Sequence, residues 1–155
     1  MSLFSVREFL AQKAPDLTIL ELPDSTATVA EAAAGHGVEP AQIAKTLALR
    51  VGNKMFLLVT RGDARLDNQK AKACFGGKVK MLPADEVAVL TGHPVGGVCP
   101  FGLVTPLPVY CDLSLHAFTE VLPAAGSTNS ALRISPSRMA ELTNAIWVDV
   151  CLAAT

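Results

Sequence analysis

Apolar and polar positions follow two different periods along the chain, and together they predict short helices mixed with short strands. Apolar residues at helical spacing, followed by a proline, predict a helix over residues 5–13. The order Thr28-Val29-Ala30-Glu31 is a capping box, which predicts a helix that begins after Thr28 and ends at Gly35 or Gly37. Pro40 fits the first turn of another short helix.

The clearest strand signal is a pair of apolar runs at residues 46–51 and 55–60, joined by a turn at Gly52-Asn53. This arrangement is typical of a β-hairpin. Further strands are predicted at 18–22, 79–82, 109–112, 119–122, 131–134 and 146–150. Further helices or helical turns are predicted at 67–74, 84–90, 113–117 and 136–142.

The elements intermingle without a regular βαβ order, and the chain contains no repeat or long linker. We therefore expect one domain over residues 1–155 with a mixed α/β (α+β) fold, in which a curved, barrel-like mixed sheet has helices packed outside it. Half of the residues are apolar but only 5% are aromatic, so the expected core is aliphatic and rich in alanine.

Composition and targeting signals narrow the class of protein. No apolar run approaches the roughly 18 residues that a bilayer-spanning helix needs, and the first residues lack the pattern of a signal peptide. The four cysteines form no C-x-x-C pair, which favours reduced and mostly buried thiols. These features predict a cytoplasmic protein that does not use a membrane as partner.

The charge distribution is uneven although the net charge is only −1. Residues 45–80 contain nine basic and two acidic residues, a formal charge of +7, whereas the rest of the chain contains four basic and twelve acidic ones. Such an asymmetry is compatible with a polyanionic partner and equally with an ordinary solvated surface. The candidate contacts for a polyanion within this stretch are Arg61, Arg65, Lys70 and Lys72.

Two segments are candidates for chemistry. The loop over residues 91–102 is rich in glycine and proline, so its backbone can approach a ligand closely in one fixed shape. Exposed amides of Gly97, Val98 and Cys99 would then face a carbonyl or a developing oxyanion. Lys45 lies in apolar sequence where a predicted helix gives way to a strand, so its ammonium either reaches solvent or enters a pocket.

Conventional catalytic sets are weakly represented. Cys99 with His93 or His116 could form a nucleophile and base, but no third group that would orient the base is evident. A zinc site built from these residues and Cys111 would lack any ligand pair of standard spacing. Any catalysis is therefore expected to come from backbone amides, a lysine and the substrate itself.

Several motifs in order along the chain resemble the YbaK and prolyl-tRNA-synthetase-associated editing domain family. They are Ile43-Ala44-Lys45-Thr46-Leu47, the strand Phe56-Leu57-Leu58-Val59, the loop Gly96-Gly97-Val98-Cys99-Pro100-Phe101-Gly102, the strand Val109-Tyr110-Cys111-Asp112, and Ala125-Gly126-Ser127 leading to Leu132-Arg133-Ile134-Ser135-Pro136. The resemblance covers roughly residues 25–150.

The resemblance implies hydrolysis, in trans, of the ester bond of mischarged aminoacyl-tRNA, without a metal or other cofactor. Family members typically clear tRNA for proline of small residues such as alanine, cysteine or 2-aminobutyrate, and some act on serine or threonine esters. The implied partners are aminoacyl-tRNA and, as a further candidate, prolyl-tRNA synthetase. The resemblance, together with the loop's amides, predicts catalytic roles for Lys45, Gly97 and Val98.

The implied substrate contacts are Thr46, Gly96, Cys99, Pro100, Phe101, Gly102, Ser127 and Thr128. Members specialised for alanine tend to carry Asn where this chain has Thr46, so the resemblance does not imply a substrate limited to alanine. Two alternatives stay open at this point: a tRNA-binding module without catalytic activity, and a cysteine hydrolase that uses Cys99.

Overall fold

The computed structural model describes residues 2–152. Its α-helices are α1 (Ser2–Lys13), α2 (Val29–His36), α3 (Asn68–Phe75), α4 (Ala84–Thr91) and α5 (Pro136–Thr143). Its strands are β1 (Leu20–Glu21), β2 (Ile43–Val51), β3 (Lys54–Arg61), β4 (Lys80–Met81), β5 (Val109–Asp112), β6 (Leu122–Pro123), β7 (Ser130–Ala131) and β8 (Ile146–Val148). Short 3-10 helices cover Pro40–Gln42 and Leu113–Ala117.

Local capping explains where the helices begin and end. The Thr28 hydroxyl accepts a hydrogen bond from the Glu31 amide, and the Glu31 carboxylate accepts one from the Thr28 amide. This is the predicted capping box, and α2 ends at Gly37 in a left-handed conformation with φ 69°. Asp67 caps α3 in a similar way by accepting hydrogen bonds from the amides of Gln69 and Lys70.

The central sheet is mixed and open. Its strand order is β4-β2-β3-β5-β8, with β6 pairing to β2, while β1 and β7 form a separate two-stranded sheet. Strand β2 pairs antiparallel with both β3 and β4. The pairs β3–β5, β5–β8 and β2–β6 are parallel. The mixed α/β class is confirmed, but the predicted barrel-like sheet is wrong. Edge strands β4 and β8 are only two and three residues long and do not pair with each other, so the sheet cannot close.

Strand β3 is the centre of the core, because its apolar residues are buried on both faces of the sheet. Leu57 and Val59 belong to the larger cluster of buried side chains, together with α1, α5 and the glycine-rich loop. Phe56 and Leu58 belong to a smaller cluster on the other side. The two clusters hold the sheet between them and fix which residues of β2 face each side.

Strand β2 begins at Ile43, three residues earlier than predicted. The helical turn before it is a single 3-10 turn, and the backbone of Ile43 and Ala44 pairs with Leu122 and Pro123 of β6. Lys45 is therefore inside a strand rather than at a helix-to-strand junction. Within residues 2–152, no helix combines the length and the apolar character that a membrane span requires.

Candidate active site

A cavity of about 310 Å³ lies between β2, the start of α2 and the glycine-rich loop. Small side chains create the space, since alanines contribute much of the lining: Ala27, Ala32, Ala44, Ala48, Ala84, Ala124 and Ala131. Thr46 and Lys45 of β2 and Gly96 and Val98 of the loop, all predicted site residues, also line it. Beyond these, the lining includes Thr26, Thr28, Val29, Ile43, Met81, Leu82, Val87, Val95, Leu122 and Ser130.

The loop is held against the rest of the site by close backbone packing at two glycines. Gly96 has φ 89°, and a Cβ there would lie 2.6 Å from the Cβ of Ala27. A Cβ on Gly97 would lie 2.8 Å from the Ser127 nitrogen, and the Gly126 amide donates to the Gly97 carbonyl at 3.1 Å. These approaches fit only glycine, and they fix the position of Val98 at the cavity.

The loop amides differ in what they can offer to a ligand. The Gly97 amide donates to the Pro94 carbonyl at 2.8 Å and so closes a turn. No hydrogen-bond acceptor for the Val98 amide is present among residues 2–152, and Val98 lines the cavity. Of the two amides that the sequence predicted to be catalytic, that of Gly97 is used within the loop, whereas that of Val98 has no acceptor among the described residues.

Polar groups at the cavity are few. The hydroxyl of Thr46 is buried and has no hydrogen-bond partner within the described residues. Ser130 is 1% exposed, and its hydroxyl lies 2.6 Å from that of Ser127. The carbonyl of Thr128 accepts hydrogen bonds from both the amide and the hydroxyl of Thr26. Ser127 and Thr128 therefore lie behind the cavity lining and hold Ser130 and Thr26, which do line it.

Lys45 is the one ionisable residue among those that line this cavity. Its ammonium donates to the carbonyl oxygen of Ala64 at 2.6 Å. Burial lowers the pKa of Lys45, an effect that the nearby charge of Asp63 opposes. A group that is already donating to a carbonyl is placed to hold an anion or an oxygen rather than to accept a proton.

Cys99 does not line the cavity but lies in the core beneath the loop, where it is fully buried. Burial raises the pKa of its thiol to about 12. The nearest ring nitrogen, Nε2 of His93, is 3.6 Å from the sulfur and 2.7 Å from the Phe101 carbonyl. Because a carbonyl only accepts, Nε2 carries the hydrogen and cannot take a proton from the thiol. The pair is therefore not arranged as a nucleophile and base.

The end of the loop is structural in character. Pro100 is buried, and the Phe101 side chain is completely buried and packs on Phe9 with ring centroids 5.9 Å apart. Gly102 has φ 59°, and a Cβ there would lie 2.7 Å from the Ser5 backbone. None of these three predicted substrate contacts lines the cavity; they anchor the loop to α1 and the core.

The predicted tRNA-binding residues separate into two groups. Arg61, Arg65 and Lys70 line a second cavity of about 700 Å³, whereas Lys72 is exposed on α3 and does not line it. Arg61 forms an ion pair with Asp63 at 2.6 Å, and Lys70 is 3.3 Å from an oxygen of Asp149. No group of three or more histidine, cysteine, aspartate or glutamate residues within 2–152 could hold a metal ion, so the His93 and cysteine set considered above is not assembled.

Sequence reasoning missed the far side of the first cavity, which Thr26, Met81 and Ser130 help to form. The capping box at Thr28 had marked the start of α2, but nothing local indicated that this helix end faces β2. The alanine content was a usable signal, since small residues on facing elements leave space between them.

The comparisons with known proteins concern the sequence and the fold of the whole chain. A sequence profile described as "Aminoacyl-tRNA editing domain" matches residues 23–142, which is more than half of the chain. The protein is 44% identical over 153 residues to the uncharacterized protein YwhH of Bacillus subtilis, with 97% of this chain and 98% of YwhH covered.

Proline–tRNA ligases are also similar to it. The ligase of Trichlorobacter lovleyi is 31% identical over 115 residues, which cover 73% of this chain and 20% of the ligase, so the chain matches about a fifth of the length of such enzymes. A crystal structure described as that of a candidate trans-editing enzyme for prolyl-tRNA synthetase superposes with a TM-score of 0.90 at 36% identity, covering 98% of both chains. On the strength of its profile match, the chain belongs to the aminoacyl-tRNA editing domain family.

Proposed function

We propose that this protein hydrolyses, in trans, the ester bond between a small amino acid and its tRNA. The observation that carries the proposal is the 310 Å³ cavity between Thr46 and the glycine-rich loop, in a chain of the editing family. The sequence similarity to proline–tRNA ligases favours tRNA for proline as the nucleic acid that is edited.

The size and polarity of the cavity favour a small side chain. A volume of about 310 Å³ is near the lower limit of ligand pockets, about 300–1,000 Å³. Its alanine-rich lining suits alanine, cysteine or 2-aminobutyrate, and the unpartnered hydroxyl of Thr46 could also bind the hydroxyl of a serine or threonine ester. Such an enzyme must leave correctly charged prolyl-tRNA, which carries a proline ester, intact.

No carboxylate or histidine side chain of the described residues lines the cavity, which supports a reaction assisted by the substrate. An aminoacyl ester is already activated, so a positioned water is a sufficient nucleophile. The 2′-hydroxyl of the terminal ribose orients that water. In a cysteine ester the substrate thiol can attack the carbonyl instead: the bond to the ribose oxygen breaks, that oxygen takes up the proton, and water opens the resulting thiolactone to release cysteine. As the tetrahedral intermediate forms, the Val98 amide donates to the oxyanion.

Lys45 holds the substrate in this mechanism. One of the three ammonium hydrogens is donated to the Ala64 carbonyl, which leaves two for a phosphate or ribose oxygen next to the ester. Since the substrate's own amino group is positively charged, Lys45 does not bind it. The hydrolysis itself then depends on the geometry of the loop and of the substrate rather than on an enzymic base.

A deacylation panel tests the proposal. Purified protein is incubated with tRNA for proline charged with alanine, cysteine, serine, threonine, 2-aminobutyrate or proline, and the released amino acid is measured. We expect release of at least one small amino acid, no release of proline, and loss of release in Lys45→Ala. Salt-dependent binding of the charged tRNA by a folded protein, with no release of any amino acid, would instead support a binding module.

A further inference from the structure

The second cavity differs from the first in size and in chemistry. It has a volume of about 700 Å³, and both cationic and apolar side chains line it. Its basic residues are Arg61, Arg65 and Lys70. Its lining also includes Leu113 and Leu152, which are 49% and 53% exposed although they are large aliphatic residues. Exposed leucines beside unpaired positive charge form a surface for a ligand with one anionic and one apolar part.

The charges of this cavity are not balanced locally. Arg61 and Lys70 are paired with Asp63 and Asp149, but the guanidinium of Arg65 has no ion-pair or hydrogen-bond partner among residues 2–152. Three basic and three acidic side chains line the cavity, and the ammonium of Lys45 adds one positive charge at Ala64. The net charge of +1 matches one phosphodiester, which carries a single negative charge.

Hydrogen bonds among buried and partly buried groups support the polar lining of the cavity. Asp112 is 1% exposed, and its two carboxylate oxygens accept hydrogen bonds from the amides of Ser114 and Val150 at 2.9 and 2.8 Å. The Ser114 hydroxyl in turn accepts from the Arg61 amide. The backbone that presents Arg61 and the C-terminal segment are thus fixed relative to each other before any ligand binds, which lowers the entropic cost of binding.

We infer that the second cavity is a subsite for one nucleotide within an RNA strand, with its phosphodiester on Arg65 and Lys45 and its base on Leu113 and Leu152. A base has an apolar face that packs on aliphatic side chains, and arginine binds a phosphate through two hydrogen bonds. Lys45 lines the first cavity and contacts Ala64 of the second, so the two cavities are adjacent. The inference rests on the proposed function, since it assigns this nucleotide to the acceptor strand that carries the ester.

Binding of an uncharged RNA hairpin with the acceptor stem and single-stranded 3′ end of tRNA for proline tests the inference without any hydrolysis. Arg65→Gln and Lys72→Gln remove the same charge, but only Arg65 lines the cavity. We expect Arg65→Gln to weaken binding about tenfold and to reduce the slope of log affinity against log salt by about one. Lys72→Gln should change affinity less than threefold. Equal effects of the two substitutions would overturn the inference.

A scan with abasic sites identifies the base. In Leu113→Ser the affinity should fall for the intact hairpin but not for the hairpin with an abasic site at the one position that occupies the cavity. Leu152→Ser serves as the second variant if Leu113→Ser does not fold. A leucine-to-serine substitution that weakens binding to every abasic hairpin equally would contradict the inference. If the protein hydrolyses the ester but fails these binding tests, the proposed function stands and the nucleotide subsite is wrong. If the protein passes the binding tests but hydrolyses no ester, the subsite stands and the proposed function is wrong.

Discussion

The ammonium of Lys45 donates to the carbonyl oxygen of Ala64 at 2.6 Å, and this contact joins two cavities of different chemistry. Lys45 lines the small apolar cavity, and Ala64 lines the larger one with its basic side chains. The proposed function places a negatively charged strand on this lysine while the aminoacyl group at its end enters the apolar cavity.

The ammonium of Lys45 should matter more than its apolar stem. Lys45→Met keeps the stem and removes the charge, so we expect kcat/KM for deacylation to fall about 10–100-fold, as the loss of one charge-assisted hydrogen bond of about 1.5–3 kcal/mol implies. Lys54→Met, on the exposed end of the β2–β3 hairpin, is the matched control and should keep nearly full activity. Equal losses in both variants would show that only the overall charge of the protein matters.

Gly97 should not tolerate a side chain. A Cβ there would lie 2.8 Å from the Ser127 backbone, so Gly97→Ala must displace the loop and with it the Val98 amide. We expect deacylation to fall at least about tenfold and the free energy of unfolding to fall by about 1–3 kcal/mol. Gly77→Ala is the control, since a Cβ there would meet a single side-chain atom, Cγ1 of Val51 at 2.9 Å, and neither residue lines the cavity. Unchanged activity in Gly97→Ala would contradict the role of the loop.

The buried imidazole of His93 should make the fold sensitive to acid. Burial lowers the pKa of His93, and the hydrogen bond to the Phe101 carbonyl only partly opposes this. A pKa that is lower in the folded than in the unfolded state means that the unfolded chain takes up the proton first. The contribution of His93 to the free energy of unfolding is therefore complete above its ordinary pKa of about 6.5. This contribution decreases as the pH falls from there through the lower pKa of the folded state.

Urea unfolding between pH 5 and 7.5 measures this effect. His93→Gln keeps a donor for the Phe101 carbonyl but does not titrate, so its free energy of unfolding should fall less between pH 6.5 and 5 than that of the original protein. The pKa of His36 is also lowered by burial, and its contribution is the same in both proteins. Identical pH profiles would show that His93 is not the acid-sensitive group.

Cys99 should be dispensable for hydrolysis. Its thiol is fully buried and its pKa is raised to about 12, so it is neither accessible nor ionised at neutral pH. Cys99→Ala should keep kcat/KM within about threefold while it lowers the free energy of unfolding by about 1 kcal/mol through the space it leaves. Loss of deacylation in a folded Cys99→Ala protein, together with inactivation by a thiol alkylator that depends on Cys99, would instead indicate a cysteine nucleophile.

The features that could be predicted from the sequence are those that local chemistry determines. The Thr28–Glu31 capping box, the hairpin turn at Gly52-Asn53 and the cap at Asp67 depend on residues within a few positions of one another, and each is present in the structure. The closeness of the β2 strand and the glycine-rich loop was likewise expected, because the motifs are those of a known family.

Contacts between distant segments were beyond local patterns. The pairing of Ile43 with Leu122 extends β2, and nothing near Ile43 indicates it. Burial of Cys99 follows from how the loop packs on α1 and the core, so its neighbours in sequence suggested a cavity residue where the structure has a core residue. Arg65 lies before α3 and lines the second cavity, whereas Lys72 is exposed on that helix, and a count of charges cannot show this difference.

The most direct test is the release of amino acid from one tRNA for proline, charged on its 3′-hydroxyl with the panel's best small amino acid other than cysteine, with and without the terminal 2′-hydroxyl. The cavity lining supplies no carboxylate or histidine among the described residues, so the proposal assigns the orientation of the attacking water to that hydroxyl. We predict rapid release from the intact tRNA and release at least about 100-fold slower from the 2′-deoxy form, in the range that a positioned general base contributes. Equal rates for the two tRNAs would contradict substrate assistance, and no release from either would contradict editing by this protein.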